Sequence, residues 1–334
     1  MMVIVSVIIT AIITPTRTIQ RSKPDAEFRV LLCVHTHLNV PTINNLLEAS
    51  HPTKRSPMCV YVTCNLAEEK LVALIIIPFH KQLTVDGGME VTNPAFRMVN
   101  QNVLAKTPCS IGILVGRRLS GSTYLALNQA SHHIAVLFIG GTYDREALSY
   151  AWSHPAIKLT VMRFIPGEDA IEPDDSGMLT VETENKNEKN LDEEYVNEFR
   201  IQTAHDGSIR YNEKVVNNGE ETVAAMRSMD NHHDLFIVGR GHVMISPVTA
   251  GLTDWSECTE LGAIGDLLAS SDFAATVLVL VIAPIPTILQ FITLPAFDSK
   301  TTLRSMTECS INITVFIKVC LKLAPCQGSV KSCC

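Results

Sequence analysis

The chain has 334 residues, of which 46% are apolar and 18% charged, a composition typical of a globular protein with one large or two smaller domains. Its net charge is −7, and residues 167–198 hold twelve acidic residues against two lysines, which leaves the remainder close to neutral. This balance excludes a strongly basic surface, so we expect no nucleic acid among the partners.

The first sixteen residues carry no charge, and Arg17, Arg21 and Lys23 follow them. This apolar run is shorter than the ~20 residues that a full membrane span requires. It also lacks the basic start of a signal peptide. We therefore expect residues 1–16 to be the last part of a transmembrane helix with the basic residues on its cytosolic side, followed by a linker at 17–28.

Residues 29–52 and 133–155 repeat one pattern, in which an apolar run passes through a polar turn into an amphipathic helix. Continuous apolar runs are typical of strands that are buried on both faces. Asn39 and Asp144 are the predicted N-caps of the two helices. Each helix then ends in the sequence Ser-His-Pro, where the proline stops it.

The two copies continue in step, with later strands predicted at Met58–Val62, Leu74–Ile77, Leu159–Phe164 and Leu235–Val238, and each copy closes with a helix and a last strand. Strands that alternate with helices indicate parallel sheets covered on both faces. We therefore predict an α/β fold of two doubly wound parallel-sheet units, at residues 29–118 and 133–281. The first unit is predicted to be shortened, because its eleven residues at 63–73 allow only one short crossover.

The acidic stretch 167–198 has few aromatic residues and dense like charge, so we predict a disordered insertion there. Residues 273–297 are uncharged but are interrupted by three prolines, which favours a strand at their start over a membrane span. Residues 282–334 form an atypical tail.

The ten cysteines include no Cys-x-x-Cys pair and no Cys/His cluster at zinc spacing, so the sequence predicts no metal site. Cys33, Cys59 and Cys109 lie in strand-like runs, where cysteine is usually a small buried hydrophobe in a reducing compartment. No credible nucleophile or acid–base pair is present, so we do not expect an enzyme.

Six sequence segments carry a resemblance to a known family. In chain order they are HPTKRSPMCVYV (51–62), LIIIPFHKQLTVDGGMEVTNPAFRMVNQNVL (74–104), PCSIGILVGR (108–117), SHHIAVLFIGGTYDREALSYAW (131–152), LTVMRFIPGEDA (159–170) and GLTDWSECTELGAIGDLLASSDF (251–273). In these six segments the chain resembles the cytosolic C-terminal region of plant cation/proton exchangers. That region is similar to paired universal-stress-protein units, which agrees with the internal repeat. In the family a membrane antiporter domain precedes it.

The chain departs from the family pattern in three respects. The transport domain is missing, a family segment is absent around Thr63–Cys64, and the residues after Val281 no longer resemble the family. The resemblance implies a regulatory domain of a monovalent cation exchanger, for potassium above all, that contributes to cation and pH homeostasis. We expect no transport by this polypeptide alone.

The partner that the resemblance implies is the transport domain of a cation/proton exchanger, and a homodimer through the α/β units is a further expectation. The domain is expected to be associated with an endomembrane or the plasma membrane and to face the cytosol. If residues 1–16 do not insert, it would instead be a soluble cytosolic protein.

Stress-protein units that bind ATP hold its phosphates on a Gly-x2-Gly-x9-Gly-Ser/Thr loop, because bare backbone N–H groups must approach the anion. In IVGRGHVMISPVTAGLTDW (237–255) the second glycine comes one position early, and the third lies beside its expected place. The candidate residues of such a degenerate nucleotide pocket are Gly140, Gly141, Asp144, Gly239, Gly241, Gly251 and Thr253. The alternative is that these glycines serve tight turns.

Two further hypotheses come from other functional classes. In the first hypothesis the chain is a free-standing nucleotide-binding protein similar to universal stress proteins. The two repeated units favour it, and the degenerate glycine loop at 237–255 disfavours it. In the second it is an interaction module that docks other proteins through residues 167–198 or through the faces of its helices.

Overall fold

The computed structural model describes residues 17–20, 22, 27–50, 57–62, 72–83, 89–91, 93–107, 109–116, 132–153, 158–170, 179–229, 233–241, 246–252, 256–270, 273 and 277–284. The predicted transmembrane remnant at 1–16, the Thr63–Cys64 junction, Thr253 and the tail from residue 285 onward lie outside these residues.

The first unit contains strands β1 (Phe28–Leu32), β2 (Met58–Tyr61), β3 (Leu74–Pro78), β4 (Lys81–Leu83), β5 (Met89–Val91) and β6 (Ser110–Val115), with helices α1 (Val40–Ser50) and α2 (Pro94–Lys106). The predicted strands at 58–62 and 74–77 are therefore confirmed to within a residue. Strands β4 and β5 form a separate antiparallel pair between β3 and α2.

The second unit contains strands β7 (His133–Phe138), β8 (Lys158–Pro166), β9 (Ile209–Val216), β10 (Leu235–Gly239) and β11 (Leu278–Ala283), with helices α3 (Thr142–Trp152), α4 (Leu179–Thr203), α5 (Gly219–Met229) and α6 (Gly262–Ala269). Every residue of β10 and β11 is buried, as their unbroken apolar runs predict.

Nine strands form one sheet in the order β2-β1-β3-β6-β11-β10-β7-β8-β9. All neighbours are parallel except β6 and β11, which pair antiparallel from Ile111↔Ala283 to Val115↔Val279. We call this pair the seam, because it joins the last strand of the first unit to the last strand of the second. Two doubly wound parallel units are therefore present, as predicted, within one continuous sheet.

The second unit has its five strands in the order third-second-first-fourth-fifth, which is the arrangement of a doubly wound fold. The first unit has the same order but lacks a counterpart of β9 in the described residues. Such a strand would need a second crossover between β2 and β3, and residues 63–73 are too few for two crossovers. The prediction of a shortened first unit agrees with this topology.

The core lies on both faces of the sheet because alternate strand residues point to opposite sides. In β3, Leu74 and Ile76 face one apolar cluster, whereas Ile75 and Ile77 face the other. Residues of α1, α3 and α4 pack in the first cluster, and residues of α5 and α6 pack in the second. Each face is thus covered by helices from the chain itself.

The prediction of a disordered acidic insertion at 167–198 is wrong for most of that range. A turn at 167–170 follows the end of β8. Helix α4 then belongs to the crossover that connects β8 to β9. Val196 and Phe199 are buried one helical turn apart, and Tyr195 and Trp152 pack against the same cluster. This apolar stripe anchors the helix while most of its described acidic residues face outward. Residues 171–178 lie outside the described part.

None of the helices in the described ranges is both long enough and apolar enough to cross a membrane.

Candidate functional site

The glycine turn after β7 lies at the switch point of the second unit, where β7 and β10 are neighbours but lead to opposite sides of the sheet. Gly140 and Gly141 have φ angles of 145° and 86°, which side chains other than glycine rarely adopt. Gly141 is the N-cap of α3, so the prediction that Asp144 occupies that position is wrong. Asp144 lies in the first turn of the helix instead.

The carboxylate of Asp144 bridges the carboxyl ends of β7 and β10. Its Oδ2 accepts hydrogen bonds from the backbone N–H groups of Ile139 at 2.7 Å and Gly140 at 2.8 Å, and its Oδ1 accepts one from Gly239 at 3.0 Å. Burial raises the pKa of Asp144 to about 7, although the three N–H donors favour the ionised form and oppose that rise. A Cβ on Gly239 would lie 2.2 Å from Oδ1, so the site requires glycine there.

The acidic helix α4 covers the same turn. Asp192 accepts the backbone N–H of Gly141 at 2.7 Å through Oδ2 and pairs with Arg145 through Oδ1. Arg145 also donates to Glu188 at 2.7 Å and to the hydroxyl of Thr142 at 3.0 Å. Arg145 and Asp192, both buried, together with the exposed Glu188 therefore connect α3 to α4 across the glycine turn.

This geometry has a direct consequence for anion binding. The N–H groups of Ile139, Gly140, Gly141 and Gly239, which would cradle a phosphate, already donate to the carboxylates of Asp144 and Asp192. A phosphate would have to displace both carboxylates and would be repelled by them. The arrangement favours a turn held by internal acids, and nucleotide binding at this turn stays a prediction.

The remaining candidates occupy a different segment, after β10. Gly241 and Gly251 have φ angles of 76° and 79°, which explains glycine at both positions as turn residues. Both are exposed, and an added Cβ would meet no atom within 4 Å, so neither forms a close cradle like that of Gly239. The structure thus brings together Gly140, Gly141, Asp144 and Gly239 from the predicted set.

A second buried acid, Glu146 of α3, was not expected from the sequence. Its carboxylate accepts the backbone N–H groups of Ile19 and of Gln20, the latter at 3.3 Å, and the hydroxyl of Ser110. Burial raises the pKa of Glu146, while these three donors oppose the rise. An isolated β-bridge between Arg17 and Cys109 holds the same segment.

Glu146 therefore joins three parts of the chain: the linker at 17–20, strand β6 of the first unit and helix α3 of the second. It is only 1% exposed, because the sheet and the linker enclose this side of α3. The sequence pattern gave no clear signal for it, since the acid stands directly before the apolar residues Ala147 and Leu148. Because the buried Glu146 carboxylate binds the backbone N–H groups of Ile19 and Gln20, this segment is held in place against the core.

The fold and this geometry define a tandem α/β lobe in which residues 17–20 lie against β6 and α3. Comparison with known families gives two matches: residues 58–119 match the profile described as plant cation/H(+) antiporter domain, and residues 131–283 match the plant cation/H(+) antiporter C-terminal domain. The chain belongs to the plant cation/proton antiporter family, as the sequence resemblance predicted.

Curated relatives from Arabidopsis thaliana agree with this assignment. Cation/H(+) antiporter 15 is 49% identical over 84% of this chain and 46% of its own length. Cation/H(+) antiporter 23, chloroplastic, is 39% identical, and cation/H(+) antiporter 21 is 35% identical, each over 80% of this chain. The chain spans less than half the length of these relatives.

Among solved structures, the universal stress protein UspA from Lactobacillus plantarum is similar to this chain at 12% identity, and the match covers 47% of this chain and all of that one. The TM-score is 0.28, which is too low for the likeness to bear on function.

Proposed function

We propose that the chain forms the cytosolic regulatory lobe of a plant cation/proton antiporter, and that it adjusts monovalent cation exchange, above all of potassium, to the state of the cytosol. The contact that carries this proposal is the one between the linker and Glu146. Family membership supports the antiporter-related role, and the linker contact supports regulation.

A regulatory lobe must have two arrangements that differ in how it holds the rest of the protein. The linker offers such an element, because its backbone N–H groups are bound by one buried carboxylate that also holds β6. Pulling the linker away would expose Glu146 to water and remove the bridge at Cys109. Movement of the linker and packing of both units are therefore coupled.

The same contact couples linker docking to pH. Burial in the docked state raises the pKa of Glu146 above its ordinary value of 4.5, so docking favours proton uptake. The part of docking stability that depends on this proton is therefore present at low pH and is lost as pH rises through the raised pKa. On this proposal a more acidic cytosol holds the linker more tightly.

A chimera tests the proposal in cells that lack their own cation/proton exchangers. Residues 17–334 would be fused to the transport domain of Arabidopsis cation/H(+) antiporter 15, and potassium uptake would be measured over a range of pH. We expect the lobe to change the rate and its pH dependence, and Glu146→Gln to alter that dependence. Glu168→Gln, at an exposed position in the same unit, is the matched control.

Identical rate and pH dependence with and without the lobe would contradict regulation. The chain alone, purified and placed in liposomes, is expected to give no cation-coupled proton flux. A homodimer through the α/β units also stays a proposal, for which β2 and β9 offer the two outermost strands of the sheet within the described residues.

A further inference from the structure

Three side chains that commonly bind metals meet between the two units, on the face of the sheet covered by α5 and α6. His80 follows β3 of the first unit, whereas Cys258 and Glu260 precede α6 of the second. All three are buried, and their ligand atoms lie within 4.8 Å of one another. The Nδ1 of His80 is 3.1 Å from Oε1 of Glu260.

We propose that His80, Cys258 and Glu260 form a binding site for Zn²⁺ that joins the two units. An imidazole nitrogen, a thiolate and a carboxylate are the donor set of a borderline divalent ion. Around a tetrahedral zinc ion the nitrogen and oxygen ligands are about 3.3 Å apart, close to the separation of His80 and Glu260. The Cys258 sulfur, whose separation from the other ligand atoms is at most 4.8 Å, would lie about 3.6 Å from the nitrogen once zinc is bound.

Glu260 is the second, independent indication of a ligand. Its side chain is 4% exposed; His80 and Arg97 face Oε1 at 3.1 and 3.7 Å, but neither carboxylate oxygen receives a hydrogen bond of good geometry from the described residues. Buried carboxylate oxygens normally have such partners, because leaving them unmade is costly. A bound cation would satisfy both oxygens at once.

The charges around the cluster allow a divalent ion. Zn²⁺ with one thiolate and one carboxylate is neutral, and Lys81, which lies beside the Cys258 thiol, has a second partner in the exposed Glu257 at 2.8 Å. Arg97 lies 3.7 Å from Oε1 of Glu260 but is half exposed, so its side chain has room to turn toward solvent when the ion binds. Neither cation therefore blocks the site.

The binding step exchanges a proton for the metal. Zinc binds cysteine as the thiolate, so Cys258 must lose its thiol proton when the ion binds. On binding, the S–H bond breaks, a Zn–S bond forms and the proton passes to solvent. No electrons are transferred, and no other reactant is needed.

The test uses the full chain with its tail cysteines replaced by serine, namely Cys309, Cys320, Cys326, Cys333 and Cys334. Cobalt(II) added to this protein is expected to produce a thiolate-to-cobalt charge-transfer band, which one equivalent of Zn²⁺ then removes. Cys258→Ser should abolish the band and weaken Zn²⁺ binding at least tenfold. Cys59→Ser, at another buried cysteine, is the matched control and should keep both.

Glu260→Gln provides a second variant that retains the thiol, and we expect it to keep the band but bind Zn²⁺ more weakly. Thermal unfolding should shift upward with Zn²⁺ in the parent protein and not in Cys258→Ser, because the ion links the two units. A missing cobalt band in the parent, or a band that persists in Cys258→Ser, would overturn the proposal. If Cys258→Ser does not fold, unchanged affinity in Glu260→Gln overturns it instead.

Discussion

Replacing Phe199 by alanine tests whether the acidic helix α4 is a packed part of the lobe. The Phe199 side chain is 0% exposed, and its ring packs edge-on against Trp152 with ring centroids 5.4 Å apart. Removing a buried phenylalanine typically costs about 3–5 kcal/mol, through lost apolar burial and the cavity that remains. Ile201 lies two residues further along the same helix and is 75% exposed, so Ile201→Ala should change stability by less than about 0.5 kcal/mol.

Hydrogen exchange of the purified chain measures this effect locally, and urea unfolding measures it globally. We expect Phe199→Ala to remove most amide protection at residues 191–203 and to lower the urea midpoint by about 1–5 M, for a slope of about 1–3 kcal/mol per M. Ile201→Ala should leave both unchanged. A lack of amide protection at residues 191–203 in the parent as well as in both variants would refute a docked helix and support a disordered insertion.

Three further outcomes are expected. Gly239→Ala should lower the melting temperature far more than Gly207→Ala, because its Cβ would lie 2.2 Å from Asp144 Oδ1, whereas a Cβ at Gly207 meets nothing within 4 Å; equal shifts would contradict this. Millimolar ATP should give no saturable heat in calorimetry, because the turn's N–H donors are engaged, and a saturable signal would show that phosphate displaces the carboxylates. Glu146 has a raised pKa, so its contribution to stability is present at low pH and lost as pH rises; Glu146→Gln should flatten that dependence, and an unchanged melting profile would disprove it.

The repeat made most of the fold predictable from the sequence. Apolar runs such as Leu235–Val238 are long, uncharged and bounded by polar turns, so their burial on two faces follows from composition. Helix α4 was not predicted from the sequence, because the high density of acidic residues at 167–198 indicated disorder. Tyr195, Val196 and Phe199 nevertheless form a short apolar stripe. Strand β9 was missed as well, since most of its residues are polar and exposed at the sheet edge.

The candidate sites were predictable only where their residues are local in sequence. Gly140, Gly141 and Asp144 stand within five positions, and the switch point of the sheet brings Gly239 to them. Asp192 reaches the same turn only through the packing of α4, which no spacing rule contains. The contacts of Glu146 with the linker likewise depend on how distant segments meet.

The seam between β6 and β11 has a consequence for synthesis. Ser110–Val115 is a fully buried, apolar strand, yet its partner Leu278–Ala283 is translated more than 160 residues later. The first unit therefore leaves the ribosome with an unpaired hydrophobic edge, a template for unwanted association. Pairing over so long a separation makes completion of the lobe slow, which prolongs the exposure of that edge.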